Sequence, residues 1–223
     1  NTKIYAGSAG TASGVLMLMD LAARPASLAG AAGALNEDIN SLRYNPAGFA
    51  NIKQYEVQFS HFSNFAKINY ESIMFGLPLT KYNSALGFAL DFVNYGDIEK
   101  RDRYGTDLGT FSADDLQLTI GYSKSLINNI LVGANIKYFT SKIENAKANV
   151  VACDFGAGYD VMDNLTLGIA LQNLGGKLRY ISEANELPMN FRISTKYSPQ
   201  RFINPPKFLL DINVPKGQPI NFN

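Results

Sequence analysis

The 223-residue sequence has one cysteine, Cys153, one histidine, His61, and no tryptophan. A lone cysteine excludes a disulfide within the chain and a thiolate metal site. A lone histidine removes most His-based metal centres and the nucleophile–His pairs that need further partners. His61 therefore reads as a polar strand or loop residue and Cys153 as inert packing. Charge is scarce too: 17% of residues are Asp, Glu, Lys or Arg, where soluble domains carry about 25%. The 20 basic and 19 acidic residues nearly cancel and gather on no one face, so no nucleic-acid partner is expected. The longest uninterrupted apolar run, Val15 to Met19, falls far short of the roughly 20 residues a spanning helix needs. No cationic, apolar leader precedes Asn1, which fits a mature chain or one made without a leader.

What is present changes character near Asn51. Residues 6–50 are rich in Ala and Gly. They suggest helices over Val15–Ala23 and, after Arg24, over Ala26–Leu35, with Pro25 in the first turn of the second. Asn45-Pro46-Ala47-Gly48 reads as a turn, because Asn before Pro is pushed away from helix and Gly48 accepts positive φ. No regular strand is expected in this segment.

From Tyr55 onward the dominant period is two, in runs of about ten residues, longer than the five or six of an average strand. In Asp115–Ser123 the even positions are Leu116, Leu118, Ile120 and Tyr122, and the odd ones are polar or small. The same split recurs in Asn164–Asn173 and Asn190–Lys196. Weaker strands are predicted at Tyr55–Ser60, Lys67–Leu77, Ala85–Tyr95, Ile130–Phe139, Val150–Tyr159 and Lys207–Val214, about nine in all. Glu56, Lys67, Glu71, Asp91, Asp115, Lys137, Asp154, Arg192, Lys196, Lys207 and Asp211 are all assigned to the polar face. A soluble sandwich also alternates, but its wet face bristles with Lys and Glu. Here that face is mostly Gly, Ala, Ser, Thr and Asn, which suits the concave inside of a barrel.

Short connections at Thr80–Ser84, Ser125–Asn129 and Asp160–Asn164 alternate with longer ones at Gly96–Asp114, Thr140–Asn149 and Leu174–Pro188, as in outer-membrane barrels. The short Phe62–Ala66 link breaks that rule and leaves a soluble meander open. Tyr55, Tyr95, Tyr122, Tyr138, Tyr159, Tyr180 and Tyr197 sit near strand ends, where an aromatic girdle belongs. Single-chain barrels have an even strand count with both termini on the periplasmic side. A ninth strand over Lys207–Val214 thus implies an incomplete barrel within a protein of well over 300 residues.

Several motifs carry a resemblance. Leu21-Ala22-Ala23-Arg24-Pro25-Ala26-Ser27-Leu28-Ala29-Gly30-Ala31 is followed by Leu42-Arg43-Tyr44-Asn45-Pro46-Ala47-Gly48-Phe49. Further along come Asn94-Tyr95-Gly96, Gly109–Asp114, Val132–Tyr138, Leu171-Gln172-Asn173-Leu174-Gly175 and Leu187–Arg192. In order and spacing these resemble the PorV/PorQ group within the FadL-like outer-membrane barrels, from Leu21 to Tyr197. The resemblance implies an all-β fold: a transmembrane antiparallel β-barrel of about fourteen strands, with residues 1–52 as a short helical plug or hatch and 53–223 as barrel strands. It implies a bacterial outer-membrane location, contact with outer-membrane lipid, and a partner or anchor role in type IX secretion, binding secreted proteins or other secretion subunits. Within the same superfamily the alternative is a FadL-like transporter of fatty acids or other hydrophobic molecules.

The candidate hatch turn is Asn45, Pro46, Ala47 and Gly48. The candidate partner loops offer Arg101, Arg103, Tyr104, Phe111 and Tyr180, a mix of charge and aromatic anchors that suits an interface. Catalysis finds little support. Asp114 and Asp115 are adjacent in a strand and point to opposite faces, and the glycines near Gly30 lack the strand–turn–helix setting and the lysine of a phosphate loop. Asp91 and Asp154 are expected to face the interior, pairing with Lys137 or Arg192. No enzyme activity, metal or cofactor is expected.

Overall fold

Alternation with period two gives each strand one apolar and one polar edge-on face, and such strands pair with their neighbours in sequence. The computed structural model describes residues 14–64, 67–127, 129–180, 184–199, 205–216 and 220–223. Its strands are β1 Glu56–Ser63, β2 Asn69–Leu79, β3 Ser84–Arg101, β4 Asp107–Ser125, β5 Ile130–Ile143, β6 Ala146–Met162, β7 Leu165–Gly175, β8 Lys177–Arg179, β9 Ala184–Glu186, β10 Asn190–Tyr197, β11 Phe208–Pro215 and β12 Asn221–Phe222. All but β8 and β9 form one antiparallel meander in the order β1 to β7, then β10, β11 and β12; β8 and β9 pair separately. All nine expected strands are present. β1 and β12 are the two ends of the sheet and do not pair with each other, so among the described residues the sheet is open.

The sheet nonetheless curls round residues 14–52. The Ile39 amide donates to Glu56 Oε2 on β1 at 2.8 Å, while Gly33, six residues away, donates to Asp211 Oδ2 on β11 at 2.9 Å. Strands far apart in the sheet therefore meet one short segment. That segment holds 3₁₀ turns at Val15–Leu18 and Gly48–Asn51 and two single-turn helices, α1 Ala23–Ser27 and α2 Ser41–Tyr44. Neither long helix predicted from its alanines forms. Ala29 and Gly30 turn the chain through positive φ of 51° and 80°, and the segment takes its shape from the wall it lies against. Pro25 does fall in the first turn of α1.

Three connections differ from expectation. The supposed loop over Gly96–Asp114 is mostly strand: β3 and β4 stay paired out to Arg101 and Asp107. Thr140–Asn149 is likewise strand, closed by a turn at Glu144 and Asn145. Loop-like composition there hid an alternation already in register with the neighbouring strand. Leu174–Pro188 carries the β8–β9 hairpin, and residues 65–66 of the Phe62–Ala66 link lie outside the described residues.

The faces separate sharply. Asp91, Asp115, Lys137, Asp154, Arg192, Lys196 and Asp211 are all buried on the inner face, and Phe59, Leu90, Ile120, Ile136, Phe155, Ile169 and Ile193 are exposed on the outer one. Glu71 is the correction: it shares the outer face with Ile73 and lies 3.8 Å from His61 Nδ1, close to the end of the β1–β2 pair. Lys67 and Lys207 fall just outside strands. Tyr122, Tyr138, Tyr159 and Tyr197 are exposed outward. Tyr95 and Tyr180 depart from the outward placement expected of a girdle, donating to Asp115 Oδ2 at 2.9 Å and to Ser141 Oγ at 2.8 Å.

Candidate functional site

Two regions concentrate polar chemistry: the filled interior and the ribbon that β3 and β4 extend beyond the sheet.

In the interior the Asn45-Pro46-Ala47-Gly48 turn lies flat on the wall. Asn45 Nδ2 donates to the Gly33 and Ala157 carbonyls, both at 3.0 Å, and Asn45 Oδ1 accepts the Ala47 amide at 3.1 Å. One side chain thus ties two parts of the segment to β6. Below it the sheet is stripped of side chains. Gly76, Gly87 and Gly121 are successive neighbours across β2, β3 and β4, and Gly133 faces Gly156 across β5 and β6. A Cβ on Gly133 would stand 2.1 Å from the Pro46 carbonyl oxygen, and one on Gly156 would stand 2.1 Å from Asn45 Oδ1. Gly48 does not use positive φ as predicted. It is glycine because a Cβ there would meet the Leu35 oxygen at 2.2 Å.

Three ion pairs cross the same interior. Arg43 of α2 holds Asp91 through both terminal nitrogens and donates to Ser72 Oγ at 2.7 Å. Lys137 Nζ is 2.7 Å from Asp154 Oδ2. Arg192 Nη1 donates to Asp211 Oδ2 at 2.5 Å and to the Gly30 carbonyl at 3.0 Å. Asp91 and Asp154 do face inward, but Asp91 takes Arg43, which the strand pattern could not offer because Arg43 lies in the N-terminal segment. Arg43 stands inside the Leu42–Phe49 motif, and that placement was the available signal. Asp154 also accepts Asn135 Nδ2 at 3.0 Å and the Asn173 amide at 2.8 Å, and Asn135 Nδ2 donates to the Leu42 carbonyl at 2.7 Å. Tyr44 donates to Asp20; burial and that carboxylate push its hydroxyl well above the usual phenol range.

In each of these three pairs a buried carboxylate is matched by a cation, as desolvation demands, whereas buried Asp115 accepts the Tyr95 hydroxyl instead. Between segment and wall, a space lined by Arg43, Gln117, Lys137, Gln172 and Arg192 is about 40 Å³, and at the Glu37 end a cleft of about 810 Å³ opens among Asn36, Glu37, Lys53, Glu56, Asp160 and Lys196. Nearer the β8–β9 end the interior turns apolar: Leu16, Leu21, Phe139, Val150 and Leu178 pack together. At the opposite end Glu37 bridges Lys207 at 2.7 Å and Lys196 at 3.4 Å. Burial raises the Glu37 carboxyl, but the Lys207 hydrogen bond and the two lysine charges outweigh it and hold it below its ordinary value. The arrangement holds a segment in place. Among the described residues no three His, Cys, Asp or Glu side chains come together as a metal centre.

The ribbon is the second region. β2 stops pairing with β3 at Asn94, and β5 meets β4 only from Ala113. Residues 96–112 therefore project as a two-stranded ribbon, about 20 Å at 3.4 Å per residue, touched near its base by Glu144, which accepts from Lys100 Nζ and donates its amide to the Ser112 carbonyl at 2.9 Å. Its tip is set by Asp102, whose Oδ1 accepts the Tyr104 and Thr106 amides at 2.8 and 2.9 Å; these bonds, with Thr106 foremost, lower its carboxyl. Arg101 Nη2 donates to Glu99 Oε2 at 2.9 Å. The Arg103 guanidinium lies 4.6 Å from the Tyr104 ring centre, and Tyr104 is 77% exposed. The structure thus brings Arg101, Arg103 and Tyr104 together at the tip and places Phe111 lower on the ribbon, opposite Ile98. Tyr180 does not join them: its hydroxyl is held by Ser141, away from the ribbon.

Compared with models of protein families, residues 9–190 match one described as an uncharacterised protein family, UPF0164. A search of curated proteins finds no match.

Proposed function

The chain belongs to the family UPF0164, and we propose that it is part of a bacterial outer-membrane β-barrel, of the PorV/PorQ type, that holds a protein partner at the end bearing the ribbon. The observation that carries the membrane reading is the inverted burial. Charged side chains are inside, while rows of Leu, Ile, Phe and Val face outward uncovered. At about 1 kcal/mol for each half-exposed apolar side chain, the outer face forgoes on the order of 20 kcal/mol, more than the roughly 5–15 kcal/mol of a domain's net stability. A face of that kind is stable only against something equally apolar. On β4 the outward row Leu116, Leu118, Ile120 and Tyr122 is bounded by Asp114 and Lys124. Those charges are ten residues apart, about 34 Å along the strand and about 24 Å high if tilted by 45°, close to the roughly 25 Å band of such barrels.

A holding role rather than passage is supported by the ion pairs and hydrogen bonds that pin residues 14–52 to the wall. The ribbon supplies an exposed Arg–Tyr tip with mixed charge, the composition of interface anchors. The sequence resemblance then names the class of partner, secreted proteins or secretion subunits. The FadL-like alternative, carriage of a hydrophobic molecule, draws on the apolar cluster beneath the β8–β9 hairpin.

Gentle solubilisation of membranes followed by identification of copurifying chains and bound small molecules tests both. The proposal expects defined protein partners, lost when residues 102–107 are deleted. A bound fatty acid with no reproducible protein partner would favour carriage.

A further inference from the structure

We infer that Lys137 and Asn173 are the precursors of an intramolecular isopeptide bond, closed between the lysine Nζ and the asparagine Cγ with Asp154 as proton carrier. This goes beyond the proposed function and does not depend on it. The three side chains come from successive strands, β5, β6 and β7, and meet on the inner face. Lys137 Nζ donates to Asn173 Oδ1 at 2.8 Å and lies 2.7 Å from Asp154 Oδ2. Asp154 Oδ1 accepts the Asn173 backbone amide at 2.8 Å, and Oδ2 accepts Asn135 Nδ2 at 3.0 Å. Asn173 Nδ2 donates to the Pro188 carbonyl at 3.0 Å, which keeps the carboxamide oxygen turned toward the amine.

The backbone bends to make this meeting. Between the pairs Cys153–Leu174 and Phe155–Leu171 the register shifts, so Asp154 alone stands opposite both Gln172 and Asn173. Asn173 takes a positive φ of 58° there. A bulge of this kind re-aims a side chain. Strict alternation would turn either Gln172 or Asn173 outward, yet both are buried. The ion pair alone needs no bulge, because Lys137 and Asp154 lie in regular β5–β6 pairing. What the bulge adds beside it is the carboxamide.

The site is dry: Lys137, Asp154 and Asn173 are 2%, 0% and 1% exposed. The reacting atoms need to close to the roughly 3–3.5 Å of a near-attack arrangement, a tilt of the carboxamide from the hydrogen bond it already makes. One proton passes from Nζ to Asp154, and the lone pair of the neutral amine attacks Asn173 Cγ. The Nζ–Cγ bond forms. Asp154 gives its proton to Nδ2 and takes the next one from Nζ, the Cγ–Nδ2 bond breaks, and ammonia leaves. The step balances without oxidant or reductant. Its products are an amide and a neutral acid, so an ion pair that is costly to keep buried disappears, and β5 is braced to β7 across β6.

The test is mass spectrometry of the full chain, purified in detergent, intact and after trypsin. The intact chain should be lighter than its sequence by one ammonia. Trypsin cannot cut at an acylated Lys137, so it should release residues 125–142 joined to residues 148–177. Lys137→Arg and Asp154→Asn should each restore the full mass and separate the two peptides. Full mass and unjoined peptides, from wild-type chain whose circular dichroism shows a folded β-sheet, overturn the bond. So does a loss of ammonia confined to residues 148–177, which marks a succinimide at Asn173, or a join to Asp154 with loss of water. A join that survives Asp154→Asn overturns the proton carrier.

Discussion

Substituting Gly133 by Ala tests the seating of the N-terminal segment. The new methyl would stand 2.1 Å from the Pro46 carbonyl oxygen, 2.3 Å from its carbon and 2.7 Å from the Ala47 nitrogen. All three are backbone atoms and cannot swing aside as a side chain can. Ordinary contact begins near 3.4 Å, so the turn must retreat by more than about 1 Å or the strand must bow. Overpacking of this kind costs about 1–3 kcal/mol. Retreat also stretches the Asn45 bonds to the Gly33 and Ala157 carbonyls, each worth about 0.5–1.5 kcal/mol. The total is about 2–6 kcal/mol. Gly158→Ala is the matched control: two residues from Gly156 on the same inner face, its Cβ would meet nothing nearer than Leu131 at 3.5 Å. Denaturant unfolding in detergent micelles, followed by tyrosine fluorescence, should show Gly133→Ala weakened by that amount and Gly158→Ala close to wild type. Trypsin should cut at Arg43 sooner in Gly133→Ala. Equal stability and equal cleavage in the two variants would refute the packing of the Asn45–Gly48 turn against β5.

Three further outcomes follow from the interior and the ribbon. Asp154→Ala strands the buried Lys137 ammonium and should cost about 3–5 kcal/mol; adding Lys137→Met should recover only part, because the Asn173 amide and Asn135 Nδ2 also lose their acceptor, and full recovery in the same unfolding assay would count against that hub. The Glu37 carboxyl is lowered in the folded state, so its contribution is present above the ordinary carboxylate pKa of about 4.3 and disappears as pH falls through the lowered value. The stability gap between wild type and Glu37→Gln should therefore be open at neutral pH and close in acid, and a gap unchanged at low pH contradicts the bridge to Lys196 and Lys207. Deleting residues 102–107 should leave unfolding unaltered, since that tip bonds only to itself and its own ribbon, while abolishing partner recovery; unchanged recovery removes the ribbon from the interface.

The strands were legible in the sequence because the burial of each alternate residue is written directly into its polarity. Asp115–Ser123, Asn190–Lys196 and Leu165–Gln172 alternate between the two faces as read. What stayed hidden has a common cause. Gly96–Asp114 has the composition of a loop, yet it pairs because β3 and β4 are already aligned below it, and no local propensity reports that. Residues 26–35 have the alanines of a helix, but a thin layer lying on a glycine-floored wall takes the wall's shape instead. Gly48 and Gly133 look alike in sequence to glycines chosen for positive φ, whereas here crowding by Leu35 and Pro46 excludes a side chain. Arg43 could not be matched with Asp91 by strand logic, since the pair joins the segment to the wall. Tyr180 was grouped with the ribbon by its position in a long connection, and the hairpin instead turns it toward Ser141.

The membrane-facing assignment of the outer surface is tested most directly at Cys153, the chain's only cysteine. It lies on the outer face of β6 between Val151 and Phe155, with Ile136 and Leu174 as its cross-strand neighbours. A nitroxide attached there, with the protein in phosphatidylethanolamine–phosphatidylglycerol vesicles, should relax faster with dissolved oxygen than with a water-soluble nickel chelate. The same label on Tyr104→Cys in a Cys153→Ala background, at the ribbon tip, should show the opposite preference. Nickel access at Cys153 equal to that at position 104 would place the outer face in water and contradict the account.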